Sequence, residues 1–266
     1  MTIDGQNQVD SGGKTRSATP RSMRLARYLA RCGIASRRRC EAFIRAGRVT
    51  VDGRAVTSPA CNVLPDSNCV RFDGEEVTPE RATYILLNKP RGYTCSASDR
   101  HARHLVFELL PDNYGRLFTV GRLDRDSEGV LLCTNDGKLA QRLAHPSYEV
   151  SKTYRVDVGR TVSGRVLARM EKGLKDSGEW LQVAHARNCR GGQGPELELI
   201  LHQGRKREIR RLCARCGLQV RRLRRIRFGP LTLEGLSPGQ WRLLREHEVK
   251  LLCMNGVSPG NARSGR

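Results

Sequence analysis

The segment "GRLDRDSEGVLLCTNDG", residues 121–137, decides how this chain folds and where its chemistry lies. Asp124, Asp126 and Glu128 stand close together here, among arginines of a strongly basic chain. The preceding "LFTVGRLD" is typical of a strand, and the apolar "VLL" predicts the next core strand. We therefore expect Asp124 at the end of a strand, where a loop holds its carboxylate at the mouth of a cleft.

These acids allow three interpretations of the chemistry. A calcium loop opening at Asp124 would need a bidentate Glu at its twelfth position, and that position is Asn135. A two-carboxylate metal nuclease would need further ligands, whereas the 6 histidines are dispersed. A single carboxylate, kept ionised by a neighbouring guanidinium, can act as a nucleophile or base without a metal. The sequence favours this third interpretation and predicts no metal site, with the other two as weaker alternatives.

The charge of the chain indicates a polyanionic partner. It carries 48 Lys+Arg against 27 Asp+Glu, a net charge of +21, and nucleic acid is the common polyanion. No apolar run approaches the roughly 18 residues of a membrane span, and the N-terminus lacks the apolar core of a signal peptide. We expect no membrane association, disordered tails at 1–20 and 254–266, and 10 reduced cysteines in a cytoplasmic protein.

The first part of the chain predicts two helices followed by two hairpins. Leu25, Tyr28 and Leu29 recur at helical spacing, and Ser36 can cap the second helix. Asp-Gly pairs in "RVTVDGRAV" and "CVRFDGEEV" predict two-residue hairpin turns. The first helix and the start of the second are rich in arginine, and no acid occurs between Ser11 and Cys40. This unit resembles the S4 RNA-binding module, with predicted bounds of 21–80 and a linker at "TPERAT".

From Tyr84 onward, strands and helices interleave without a regular βαβ period. We therefore predict an α+β domain over 81–253 with a mainly antiparallel sheet. One helix is expected from Val162 to Gly173. In "RKREIRRLCARCG", the apolar face of a second helix is flanked by Arg210, whereas Arg207 and its exposed neighbours should point to solvent or RNA. The two cysteines of that helix are interpreted as core thiols because no second pair completes a zinc site.

Several motifs resemble the RsuA-type branch of the RNA pseudouridine synthases. They are "LNKPRGY", "GRLDRDSEGVLLCTNDG", "HPSYEVSKTYRV", "GRKREIRRLC" and "RIRFGPLTLEGLSPGQWRLL", in this order. The resemblance implies that Asp124 is the catalytic aspartate and that Arg210 is its basic partner. It also implies that Tyr154 stacks on the uracil and aids proton transfer, and that Arg122 fills the space which the flipped uridine leaves. The implied reaction is an isomerisation that uses no cofactor.

Basic residues on both units are predicted to contact RNA. They are Arg24, Arg27, Arg31, Arg37 and Arg38 in the first unit, and Lys89, Arg122, Lys206, Arg207, Arg224 and Arg225 in the second. The expected partner is ribosomal RNA or a pre-ribosomal particle, of the large subunit in preference to the small, and the expected state is a monomer. A non-catalytic RNA-binding or ribosome-assembly factor on the same fold is the alternative.

Overall fold

The computed structural model describes residues 22–191 and 194–254. The chain divides into two structural units, Met1–Glu80 and Arg81–Arg266. The tails predicted at 1–20 and 254–266 lie outside the described residues, apart from Met254, which ends the last helix. None of the helices in the described ranges is long and apolar enough to cross a bilayer.

The first unit follows the predicted order of helices and hairpins. Its described elements are β1 (Met23–Arg24), α1 (Leu25–Arg31), α2 (Arg37–Arg45), β2 (Val49–Val51), β3 (Arg54–Ala55), β4 (Asn62–Val63), β5 (Val70–Phe72) and β6 (Glu75–Glu76). β3, β2, β5 and β6 form an antiparallel sheet in that order, and β1 pairs with β4. Leu25, Leu29 and Ile44 are fully buried in the small core between the helices and the strands.

Local sequence signals account for the turns of this unit. The Ser36 hydroxyl accepts a hydrogen bond from the Arg39 N–H at 3.3 Å and so caps α2. The β5–β6 turn has φ of 51° at Asp73 and 88° at Gly74, and the β2–β3 turn is alike. Two successive positive φ values define the tight turn that matches the twist of a hairpin, which is why Asp-Gly is suited to it. The predicted cap and both predicted turns are confirmed.

The second unit is built on one large sheet with helices on its faces. Its described elements are β7 (Tyr84–Lys89), β8 (Phe118–Thr119), β9 (Glu128–Thr134), α3 (Gly137–Ala144), β10 (Lys152–Asp157), α4 (Gly164–Lys172), β11 (Leu174–Asp176), β12 (Glu179–Leu181), β13 (His185–Gly191), β14 (Gly194–Leu201), α5 (Glu208–Arg215), β15 (Arg222–Phe228), β16 (Leu231–Thr232), β17 (Trp241–Leu243) and α6 (Glu246–Met254). Three short 3-10 turns occupy Val106–Leu109, Asp112–Tyr114 and Pro146–Tyr148.

The sheet consists of two antiparallel halves joined by one parallel pairing. Its order is β13-β14-β10-β15-β9-β7-β17, with β16 paired to β15 and β8 paired to β9. Only the β15–β9 contact is parallel among the strand pairs of the described residues, with Arg224 opposite Glu128 and Arg225 opposite Gly129. The prediction of an α+β fold with a mainly antiparallel sheet is confirmed.

The two halves have separate apolar cores. α4 and α5 cover the β13-β14-β10-β15 half, where Met170 and Leu212 pack with Val156 and Leu199. α3 and α6 cover the other half on a core that includes Leu132. A further cluster fills the opposite face of β7 and β9, and Tyr154 packs against both this cluster and the first core. The junction of the halves is therefore also the place where these two cores meet.

Two local predictions differ from the structure. The strand expected across "LFTVGRLD" is only the two residues of β8, and the chain then turns at Gly121, whose φ is 68°. Asp124 consequently lies in a loop that precedes β9, several residues beyond the end of β8. The hairpin β11–β12 was not predicted; its Ser177-Gly178 turn also has two positive φ values, 49° and 83°.

The parallel pairing requires glycine at position 129. Gly129 has a φ of 107°, and a Cβ there would lie 2.1 Å from the main-chain oxygen of Arg225. We expect Gly129→Ala to lower the free energy of unfolding of the second unit by at least about 2 kcal/mol, since the backbone would be strained and the methyl group would push β15 away. A change of this size lowers the melting temperature by roughly 4–8 °C for a domain of this length.

Gly137→Ala is the matched control for this test. Gly137 begins α3, and a methyl group there would meet only the ring of Phe118, at 3.9 Å. Its thermal unfolding should stay close to that of the unchanged protein. Equal melting temperatures for the two variants would contradict the role assigned to Gly129.

Candidate active site

A cavity of about 300 Å³ opens beside the loop that carries Asp124. Residues 121–124 and Ser127 form one wall, and Tyr154 of β10, the end of β14, residues 203–209 and Leu223 of β15 complete it. Tyr154 faces this cavity from β10. The cavity thus lies where β15, at the parallel joint, brings the Asp124 loop close to the half of the sheet that carries Tyr154.

The main chain of the loop is fixed by a buried lysine. Lys89, the last residue of β7, is 0 % exposed. Its ammonium donates to the carbonyl oxygens of Ser127 at 2.8 Å, Asp124 at 3.2 Å and Arg125 at 3.5 Å, and to that of Pro90. Burial lowers the pKa of Lys89 to about 8.

Two backbone hydrogen bonds complete the loop. The Ser127 N–H donates to the Asp124 carbonyl oxygen at 3.0 Å and closes a four-residue turn, and the Gly92 N–H donates to the Arg125 carbonyl oxygen at 2.7 Å. The prediction that Lys89 contacts RNA is wrong, because its ammonium is enclosed by these carbonyl oxygens. Lys89 instead holds the backbone while leaving the Asp124 carboxylate free.

Arg210 pairs with a different aspartate from the one predicted. Its Nη2 lies 3.2 Å from Oδ2 of Asp126 and donates to the Asp126 carbonyl oxygen at 3.0 Å. Burial raises the pKa of Asp126, but the charges of Arg210 and Arg207 outweigh it, so that this pKa lies below its ordinary value. Arg210 therefore pairs with Asp126, the next acid along the loop, and not with Asp124 as predicted.

Arg207 is the cation that pairs with Asp124. Its Nη1 lies 4.0 Å from Oδ2 of Asp124 and 3.4 Å from Oδ1 of Asp126. The residue caps the start of α5 with a φ of 51°, a conformation that is uncommon for a side chain of this kind. Arg207 was expected to point to solvent or RNA, and it reaches both aspartates while its side chain stays 45 % exposed.

The remaining predicted groups of the site are partly accessible. The Asp124 side chain is 38 % exposed. Tyr154 is half-buried, and its hydroxyl forms no hydrogen bond within the described ranges. Arg122 and Lys206 are exposed on the rim and pair with no acid of the described chain. No three His, Cys, Asp or Glu side chains among the described residues are placed to share a metal ion.

A buried carboxylate that the sequence analysis missed orders the facing rim. Glu208 is 3 % exposed and accepts hydrogen bonds from the Arg205 N–H at 2.9 Å and from the Gln203 amide at 3.1 Å. Burial raises the pKa of Glu208. The sequence does contain a signal for this role. Glu208 directly precedes the apolar face of α5, and a Glu in the first turn of a helix can accept hydrogen bonds from the free backbone N–H groups there.

The arginines of β15 do not form one surface. Arg225 is 2 % exposed, donates from Nε to the Val130 carbonyl oxygen at 2.8 Å and lies over the ring of Phe228, so the prediction that it contacts RNA is wrong. Arg222 pairs with buried Glu128 at 2.8 Å. Arg224 lines a separate groove of about 430 Å³ beside that pair and outside the cavity of Asp124.

Most of the arginines predicted to bind RNA in the first unit are accessible. Arg31, Arg37 and Arg38 are exposed and pair with no acid in the described part of the chain. Arg27 is half-buried, and Arg24 is exposed but donates to the Ala60 carbonyl oxygen. The start of α2 and the end of α1 therefore both present free positive charge.

Comparison with known proteins identifies the class to which this fold and site belong. The family model for RNA pseudouridylate synthase matches residues 83–215, and the S4 domain model matches residues 23–68. The chain therefore belongs to the RNA pseudouridine synthases, enzymes of the isomerase class, and has the RsuA-type arrangement with an S4 domain ahead of the catalytic domain.

Particular relatives cover nearly the whole chain. It is 40% identical over 232 residues to an uncharacterized RNA pseudouridine synthase of Aquifex aeolicus, across 86% of this chain and 93% of that protein. It is 36% identical to ribosomal large subunit pseudouridine synthase B of Bacillus subtilis, across 86% and 95%. A crystal structure of a pseudouridylate synthase covers 86% of this chain and 99% of its own, with 27% identity and a TM-score of 0.61.

Replacing Lys89 with methionine tests whether the buried ammonium holds the loop. The variant removes the Lys89 donor from the Ser127 carbonyl oxygen and one of the two donors from the Asp124 carbonyl oxygen, so we expect it to lower the free energy of unfolding by about 1–3 kcal/mol near pH 7. Pseudouridine formation should fall along with it. Lys138→Met, at an exposed lysine of α3, is the control and should change neither quantity.

The pH dependence of this effect has a defined sign. The pKa of Lys89 is about 8 in the folded protein against 10.5 ordinarily, so the unfolded chain binds more protons between these values. The contribution of Lys89 to stability therefore rises with pH across that window. The destabilisation caused by Lys89→Met should grow from about pH 8 to 10.5 in urea titrations. A difference that stays constant with pH would show that Lys89 does not titrate with this lowered pKa.

Proposed function

We propose that this enzyme isomerises a uridine of large-subunit ribosomal RNA and that Asp124 is its reacting carboxylate. The single observation that carries the proposal is that Asp124 has a fixed main chain and a side chain accessible from the cavity. Its main chain is locked by Lys89, whereas its side chain is 38 % exposed to a cavity that Tyr154 faces. The choice of RNA is supported by the Bacillus subtilis relative, whose name specifies the large ribosomal subunit.

The reaction detaches uracil from its sugar, turns it and rejoins it through C5. An ionised carboxylate can add to a carbon atom or accept a proton, and the Arg207 guanidinium lies 4.0 Å from the Asp124 carboxylate. The balance of atoms needs no external group, since the product is an isomer of the substrate. The chemistry required of the protein is therefore one fixed carboxylate, space for the base to turn and the Tyr154 hydroxyl to aid proton transfer at C5.

The cavity has the size and lining for a single flipped base. Its volume of about 300 Å³ is at the lower end of small-molecule sites. Leu201, Ile209 and Leu223 give it apolar walls, and the ring of Tyr154 offers a surface on which uracil can stack. Removing a base from its helix costs a few kcal/mol, which cationic contacts to the flanking phosphates offset.

The cations around the cavity divide between positioning the loop and binding RNA. Arg210 is a positioning residue, because its contacts are to the side chain and main chain of Asp126 and it is only 13 % exposed. Arg122 and Lys206 are free of ion pairs within the described structure and face the opening. We assign to these two residues the phosphate contacts at the target nucleotide. Arg122 also fills the space in the RNA that the flipped uridine leaves.

A role in RNA binding without catalysis is less well supported. Such a factor would need the basic surfaces but not an accessible carboxylate held at a cavity by a buried ammonium. Lys89, Arg207 and Arg210 all contact Asp124 or Asp126. This arrangement favours an enzyme over a factor that only binds RNA. The following substitutions separate the two functions.

Asp124→Asn is expected to abolish pseudouridine formation, because the amide can neither attack nor accept a proton as a carboxylate does. RNA affinity and melting temperature should remain close to those of the unchanged protein, since Asp124 is partly exposed and its closest ion pair is 4.0 Å long. Asp126→Asn is the matched comparison and should lower the melting temperature, because it leaves Arg210 poorly paired. Single-turnover rates on a ribosomal fragment measure the difference. Turnover above a few per cent in Asp124→Asn would remove this residue from the chemistry.

Tyr154→Phe is expected to slow turnover severely while leaving the fold intact. The tyrosine hydroxyl has no hydrogen-bond partner within the described structure, so its removal leaves no group unsatisfied. Binding of RNA should change little, because the ring that stacks on the base is kept. Rates at saturating RNA, with circular dichroism as the check on folding, measure the effect. A variant that reacts at the normal rate would limit the function of Tyr154 to its ring.

The arginines at the start of α2 are expected to supply affinity rather than rate. The double variant Arg37→Ala, Arg38→Ala should weaken binding and make its dependence on salt shallower by roughly 0.7–0.9 log units per lost phosphate contact. The rate at saturating RNA should be unchanged. Arg45→Ala is the control, because Arg45 already pairs with Glu41 at 3.7 Å. Equal salt slopes for the double variant and the control would exclude a phosphate contact at the start of α2.

A further inference from the structure

A stripe of free positive charge runs along α4, outside the active-site cavity. Arg165, Arg169 and Lys172 are spaced by four and three residues, so they lie on one face of the helix. All three are exposed, and none pairs with an acid of the described chain. The acid within α4, Glu171, is already bound to His185 at 3.0 Å.

The β11–β12 hairpin extends this stripe. Its inner face carries Leu181, which is buried in the core that α5 shares, and Asp176, which pairs with Arg211 of α5 at 2.6 Å. Its outer face carries Lys175 and Trp180, which stand directly opposite each other on the two strands. Lys175 is exposed and has no acidic partner in the described residues.

Trp180 is an exposed indole held in a fixed place. Half of its surface, 50%, is exposed. A Cβ at Gly173 would lie 2.4 Å from the Trp180 Nε1, so the ring rests against the bare backbone where α4 ends. A large aromatic side chain that is both exposed and supported from one side is suited to base stacking, because it loses little side-chain conformational entropy when a base binds.

The platform is connected to the rim of the active site. The strand that carries Trp180 leads to Gln182, whose main chain lies near the buried Glu208 carboxylate. Glu208 in turn orders residues 203–205 at the cavity wall. α5, to which the hairpin is bound, carries Arg207 at the aspartates. An RNA strand leaving the cavity on this side would meet the hairpin.

We propose that Trp180 stacks on an unpaired base of the substrate RNA, flanking the target uridine, while Lys172, Lys175 and Arg169 bind the adjoining phosphates. This assignment rests on the proposed function, because it requires an RNA substrate. Unpaired cations around an aromatic ring are the arrangement that binds single-stranded RNA through its backbone and base faces.

Intrinsic fluorescence provides a direct test of stacking. The chain has 2 tryptophans, so Trp241→Phe leaves Trp180 as the sole indole. The probe is a set of transcripts that tile large-subunit ribosomal RNA, of which the tightest-bound one is used. Stacking should quench the fluorescence of this variant on titration with RNA. Binding without quenching would overturn the proposal.

Affinity and rate in the otherwise unchanged protein give a second, independent test. Trp180→Ala should raise the Kd about 5- to 100-fold, with the single-turnover rate at saturation unchanged, and Trp180→Phe should recover most of the affinity. The pair Lys172→Ala, Lys175→Ala should make the salt slope shallower, whereas the pair Lys138→Ala, Lys250→Ala, at exposed lysines of α3 and α6, should not. An unchanged Kd in Trp180→Ala would overturn the proposal and leave the surface for a protein partner.

The failure of the proposed function would look different. In that case the unchanged protein would form no pseudouridine on any transcript, whereas quenching by RNA and the loss of affinity in Trp180→Ala would still occur. Normal pseudouridine formation, together with RNA binding that does not quench the fluorescence and an unchanged Kd in Trp180→Ala, would refute only the stacking surface.

Discussion

The structure of the active site depends on one buried ammonium group. Lys89 lies at the end of β7 with no exposed surface, and four carbonyl oxygens, three of them from residues 124–127, replace its water shell. A buried charge is tolerated only when it is fully hydrogen-bonded, so the loop is held in the shape that supplies those oxygens. Because Lys89 binds the main chain, the carboxylate of Asp124 stays free for the cavity. A salt bridge between Lys89 and the Asp124 carboxylate would have occupied the group that we propose as the reacting carboxylate.

The second constraint is the parallel joint between the two antiparallel halves. β9 and β15 approach so closely at Gly129 that any Cβ there would collide with the main chain of Arg225. This contact brings the loop before β9 alongside β10, where Tyr154 lies next to β15 in the sheet. Glu128 and Arg222 pair across the same joint at 2.8 Å. Glu128, the acid that follows the Asp124 loop, thus stabilises the junction that positions this loop.

The features that could be predicted from the sequence are those set by neighbours along the chain. Ser36 before a helical period, the two Asp-Gly turns, the "VLL" strand and the apolar face of α5 depend on a few adjacent residues, and all were found. The errors in the site residues concern pairings between residues that are far apart in the chain. Arg210 could have reached either aspartate, since a helical wheel gives a direction but no register between α5 and the loop. Lys89 and Arg225 were assigned to RNA because their type is usually exposed, whereas their burial follows from strands that meet only in the folded sheet.

The arginine-rich strand β15 shows why a run of like charge is not by itself a nucleic-acid surface. Alternation sends successive side chains to opposite faces, and each face meets different neighbours. Arg222 pairs with a buried glutamate, and Arg225 contacts a carbonyl oxygen and an aromatic ring. Arg224 lines a groove beside the Arg222–Glu128 pair. The charge available to RNA is therefore the part that no acid or carbonyl oxygen has taken. By that criterion the candidates are the start of α2, the cavity rim and the face of α4 that leads to Trp180, together with the members of the arginine run whose side chains have no such partner in the described residues, Arg221, Arg224 and Arg227.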